Sequence, residues 1–276
     1  MKDSQLINID DLENTKISIL SRIKPAATKL ILESESTDLL ELIKLTLFDL
    51  ILKKVLVLKK EFKKLHPKDH YSREYLIIET GRNFKKYNHD KFELLFVGRI
   101  EENSYFHLIS YIREIHRDIK SEYSFKKEII QDSNISNLFK ITGLSSLFKI
   151  INLNSKGNNL KNTIKPFLDN LNKNITHLFE KEPEKILDLI LFLKGNIFLL
   201  TNLKFDLWDK ISELYKIKMA SDDDFYDNWF LTDLCFDTDF SISELFNVDG
   251  NFFDSYSNNY DFDDYSHWDA SDFDFD

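Results

Sequence analysis

Residues 38–54, DLLELIKLTLFDLILKK, gather Asp38, Glu41, Lys44, Asp49 and Lys53 into one narrow polar stripe and leave the other positions almost wholly apolar. A helix with so little polar surface is buried on most sides. The pattern then changes. VLVLKKEF (55–62) and EYLIIET (74–80, closed by Gly81) are short runs rich in aliphatic and β-branched residues, which predict strands. The loop of about ten residues between them, with Pro67 and Asp69, predicts a hairpin.

Downstream, Tyr105, Leu108, Ile109, Ile112, Ile115 and Ile119 recur at helical spacing, with Ser104 placed to cap the helix start. Phe167, Leu168, Leu171, Ile175, Leu178 and Phe179 repeat the pattern. Pro183 suits the first position of a helix ending at Leu193, and Gly195 suits a left-handed stop. Leu207, Trp208, Ile211, Leu214 and Tyr215 predict one more helix. Upstream, a helix over 10–23 would end before Pro25, because proline lacks the donor that continues it. The polar run NLNSKGNN (152–159) reads as an internal linker. LFKI occurs at Leu138 and again at Leu147, but its surroundings do not repeat, so no solenoid is expected.

The fold class expected is mainly α with one β-hairpin, followed by a helical bundle. Four segments follow: a partly helical extension (1–35), a helix with a hairpin (36–100), a helical region with the linker near 152–159 (101–220), and a tail (221–276). Over residues 36–80, the helix running straight into a hairpin resembles the C-terminal half of a winged-helix domain. The resemblance is topological and implies a wing that meets nucleic acid. A recognition helix presents polar and basic side chains to base edges. Residues 38–54 are too apolar for that, and Asp38, Glu41 and Asp49 make their stripe acidic. The expectation is therefore backbone contact without sequence reading.

Charge sharpens the picture. All 37 Lys and Arg lie in residues 1–220 against 30 acids, a balance of +7. Residues 221–276 hold sixteen Asp, one Glu and no Lys or Arg, a balance of −17, so the net −10 sums two opposite parts. Sixteen aromatic residues are interleaved with those aspartates. High charge of one sign with few aliphatic residues predicts a tail that stays disordered by itself. Its rings and charge suit it to a basic partner surface, with Phe225, Trp229, Phe230, Phe262, Trp268, Phe273 and Phe275 as the partner-binding anchors. The matching basic surface is Lys59, Lys60, Lys63, Lys64, Lys68, Arg73, Arg82, Lys85, Lys86 and Lys91, ten cations against five acids in residues 59–91.

Candidate chemistry adds little. His66 and His70 flank Asp69 at the hairpin loop without enough further ligands for a metal site. Glu114, His116 and Asp118 alternate along one helix, where residues two apart point in different directions. His107 and His177 stand beside apolar neighbours and read as packing residues. There is no glycine-rich phosphate loop, nucleophile elbow, HExxH pair or dinucleotide fingerprint. Cys235 stands alone, so no internal disulfide framework is expected. The acidic start is unlike a secretory leader, and the apolar runs fall far short of the about 18 residues of a spanning helix. These readings predict a cytoplasmic, non-enzymatic interaction protein with no cofactor or metal. Its basic hairpin would bind a polyanion, such as nucleic acid contacted nonspecifically, or its own acidic tail. The alternative is a binder of anionic membrane surfaces, or a protein–protein adaptor that uses the tail as a recruitment peptide.

Overall fold

The computed structural model describes residues 17–64, 72–140 and 150–202. Pro25 opens helix α1 (Pro25–Glu33) rather than ending an earlier one. At the first helical position the missing N–H has no partner to lose, and the fixed φ is already helical. A single 3-10 turn, Ser18–Ser21, precedes it, and residues 10–16 of the expected earlier helix lie outside the described residues. The Thr37 hydroxyl donates to the Glu33 carbonyl at 2.7 Å and closes α1. Asp38 then accepts from the Glu41 amide at 2.7 Å and starts α2 (Leu39–Leu52). As the narrow stripe predicts, ten of the fourteen α2 residues are buried.

Lys54, at φ 54°, turns the chain from α2 into strand β1 (Leu56–Lys63). β1 pairs antiparallel with β2 (Arg73–Thr80) over eight rungs, from Leu56 opposite Thr80 to Lys63 opposite Arg73. The helix leading into a hairpin is therefore present. After the short helix α3 (Leu94–Val97), a third strand, β3 (Tyr105–His107), pairs with β2. Here the structure corrects the helix expected to begin near Tyr105. Helix α4 is Leu108–Asp118, and the Ser104 hydroxyl donates to the Glu101 carbonyl instead of capping it. Tyr105 and Ile109, two of the positions that fitted the helical stripe, are 47% and 43% exposed.

Ser121 caps α5 (Glu122–Asp132), accepting from the Ser124 amide at 3.1 Å. The polar run 152–159 is not a linker. Asn152 and Leu153 form β5, paired with β4 (Phe139–Lys140). Asn154 then caps α6 (Ser155–Lys181), its Oδ1 accepting from Lys156 N at 2.9 Å and Gly157 N at 3.1 Å. Leu160, Ile164, Leu168, Leu171, Ile175 and Leu178 bury one stripe of this helix.

Helix α7 (Pro183–Leu193) follows, with Pro183 at its start as expected. Its end differs: Lys194, not Gly195, takes the positive φ, at 50°. Gly195 is required for a different reason, since a Cβ there would lie 2.3 Å from Asp49 Oδ1. Asn196 donates to the Leu20 and Ile23 carbonyls at 2.7 and 2.9 Å and ties the last described segment to the first. The described residues thus share one apolar core, mostly helical, with a three-stranded antiparallel sheet in the order β1–β2–β3. The expected helix over 207–215 and the tail, including Phe225, Trp229, Phe230, Phe262, Trp268, Phe273 and Phe275, lie outside the described residues.

Candidate polyanion-binding face

Along the inner face of the sheet, Leu56, Leu58 and Ile78 are buried, whereas Lys60 is exposed and Phe62 is 67% exposed. The hairpin therefore leaves the body near its midpoint and carries its basic half into water. Lys64 is exposed just beyond β1, and Lys63 stands opposite Arg73 on the last rung. Lys68, with His66 and His70, lies outside the described residues. Lys59 spans the β1–β2 pair to Glu79, 2.7 Å away.

The segment after β2 brings the next cations against the hairpin base. The Gly81 amide donates to the Val55 carbonyl at 2.8 Å and the Asn83 amide to the Lys54 carbonyl at 3.0 Å. A Cβ at Gly81 would lie 2.2 Å from the Lys54 carbonyl oxygen, so only glycine fits this crossing. Arg82, Lys85 and Lys86 are exposed on the folded-back loop. Lys85 pairs with Glu102 at 2.8 Å, but both are exposed, and such a pair contributes little stability. Lys91 has different surroundings. It lines a groove of about 470 Å³ with Leu94, Leu95, Glu128, Gln131 and Asp132, so two carboxylates share its groove.

What holds this loop was not visible in the sequence. Glu93 is fully buried. Lys24 Nζ lies 2.7 Å from it and 2.6 Å from Asp90. The Tyr87 hydroxyl donates to Glu93 Oε1 at 3.0 Å, and the Asp90 amide donates to Glu93 Oε2 at 2.8 Å. On the other side of Tyr87, Lys53 Nζ contacts the hydroxyl at 3.5 Å and bonds Asp49 at 2.5 Å. Lys24 also lies over the Phe92 and Tyr87 rings, 5.3 and 5.6 Å from their centroids.

Burial works to lower the Lys24 pKa, but the charge of Glu93 and the hydrogen bonds that Lys24 donates to Asp90 and Glu93 outweigh it and leave it raised. Burial, reinforced by the charges of Glu93 and Asp49, pushes the Tyr87 phenol far above its ordinary range. Two ammonium groups and three carboxylates nearly cancel here. The cluster is a brace for the loop rather than a site for an external anion. Its one local signal was an acid inside the apolar run KFELLF (91–96), which calls for a buried partner.

The histidines gather no chemistry. Arg99 bridges Glu114, at 3.2 Å, and Asp118, two residues four apart on α4. Between them His116 is half-buried, and burial lowers its pKa. His107 and His177 are exposed rather than packed. Among the described residues no three His, Cys, Asp or Glu side chains gather as a metal site requires. Nor is any helix among them long and apolar enough to cross a membrane. The chain matches no family model, no curated protein and no solved structure.

Proposed function

We propose that this is a non-enzymatic, cytoplasmic interaction protein whose basic hairpin and following loop take a polyanion. Its own acidic–aromatic tail competes for the same cations. The observation that carries this reading is the segregation of charge. Ten Lys and Arg against five acids lie in residues 59–91, and a balance of −17 follows in residues 221–276.

Two features of the fold support it. The outer half of the hairpin stands clear of the core, which leaves Lys60 and Lys64 exposed. The Gly81 crossing and the Glu93 brace hold the loop that carries Arg82, Lys85 and Lys86. Cations fixed on a rigid frame lose less entropy when a polyanion displaces their counterions. A tethered tail meets those cations at an effective concentration of roughly millimolar, so weak contacts suffice for competition. The aromatic side chains, Trp229 and Trp268 among them, add ring contacts with Lys and Arg.

The test uses the full chain with its sixteen tail aspartates replaced by asparagine, bound to labelled heparin at low salt. A peptide of residues 221–276 added in trans is expected to displace the heparin, and to lose that ability as salt rises. A peptide that displaces nothing contradicts the competition.

A further inference from the structure

The outer face of the β1–β2–β3 sheet is chemically unlike the inner one. Residues opposite each other in a sheet share a face, and successive residues alternate. The rung Leu58, Ile78 and Phe106 therefore points to the core, and the neighbouring rung Lys59, Ile77 and His107 points away from it. Ile77 is only 4% exposed, yet it lies outside the main core cluster. Beside it stand three rings. His107 lies 5.2 Å from Tyr75 and 6.0 Å from Tyr105, centroid to centroid. His107 is exposed, and Tyr105 is 47% exposed on the outermost strand. Glu61 and Glu79 share this face, and Lys59 offsets the second of them at 2.7 Å. Four rungs beyond Lys59 the sheet ends at Lys63 opposite Arg73, with exposed Lys64 next.

We infer that the polyanion is a single-stranded nucleic acid whose bases stack on this face, on Tyr105 and His107 with Tyr75 beside them. This rests on the polyanion reading above and names the ligand. Each base has a flat π-face, and aromatic side chains stack on it with little regard to sequence, while nearby cations follow the backbone. Rings outside a duplex meet no free base, and the helix that would enter a groove is spent in the core, with ten of fourteen α2 residues buried. A single strand offers both parts of what the face presents: rings for the rings, and phosphates for the cations at the hairpin end. The tail carries sixteen rings and sixteen Asp, one ring and about one charge per repeating unit, and so imitates a single strand.

The test compares a labelled oligothymidylate with a labelled heparin oligosaccharide of matched charge, by fluorescence anisotropy at low salt. The proteins are the full chain and the full chain with the tail aspartates changed to asparagine, each with Tyr105, Tyr105→Ala or Tyr105→Phe. Tyr105→Ala is expected to weaken oligothymidylate binding about tenfold, Tyr105→Phe to restore it, and neither to move heparin affinity. Equal losses for both ligands, or no loss for the oligonucleotide, overturn stacking and leave the polyanion reading standing. Binding of neither ligand to either unsubstituted chain overturns both.

Discussion

Lys24 Nζ lies 2.7 Å from the carboxylate of Glu93, a side chain with no exposed surface, and the two join the start of α1 to the segment carrying the basic loop. Removing Glu93 takes the buried acceptor from the Tyr87 hydroxyl and the Asp90 amide and leaves Lys24 with Asp90 alone. Glu93→Ala is therefore expected to destabilise the fold by about 3 kcal/mol. Urea denaturation followed by circular dichroism reads this directly, and a loss below about 1 kcal/mol would contradict the brace.

The same cluster fixes the alkaline behaviour. The raised Lys24 pKa gives stability that is complete below its ordinary value of 10.5 and is lost as pH rises through the folded value. Tyr87 acts in the same direction. Its phenol stays neutral in the fold while the unfolded phenol ionises near its ordinary 10.0, which favours unfolding as pH rises further. Stability is expected to fall steeply above about pH 10. Tyr87→Phe should be less stable at neutral pH by about 1–2 kcal/mol, with a shallower alkaline decline. Parallel profiles for the two proteins would show that Tyr87 does not titrate in this way.

Asn154 caps α6 through two amides, Lys156 N and Gly157 N. It also donates to the Asn137 carbonyl at 2.7 Å. Asn154→Ala is expected to lower stability by about 1–2 kcal/mol, whereas a flexible linker at 152–159 would tolerate it without change.

Much of the fold could be read from local pattern. The Asp38–Lys54 stripe and the two strand runs predicted α2, β1 and β2 to within a residue or two of their observed ends. Failures came where one residue type serves two purposes or where the reason lay far away in sequence. Proline both stops helices and starts them, and Pro25 starts one. NLNSKGNN is polar because a helix N-terminus needs polar caps. Gly195 makes room for Asp49 from α2, so its cause is tertiary. Three residues are too few to show strand alternation, which hid β3 and with it the meeting of Tyr75, Tyr105 and His107. The basic residues of the hairpin were legible by count, but the opposing acids around Lys91 were not.

Individual cations give a finer test of the interface. Lys64→Ala and Lys86→Ala remove exposed charges without touching the core. Each is expected to reduce the slope of log affinity against log salt by about 0.7 on a single strand. Lys91→Ala, in acidic surroundings, should leave the slope unchanged. Equal effects from all three would mean that binding follows net charge and not this face.

The central claim is that body and tail compete for one basic surface. Its most direct measurement is the anisotropy of a labelled polyanion titrated with the full chain and with the chain whose sixteen tail aspartates are asparagine, across a salt series. The account predicts tighter, strongly salt-dependent binding by the neutralised chain and weaker binding by the native one, with the difference closing as salt rises. Equal affinities at low salt would contradict it.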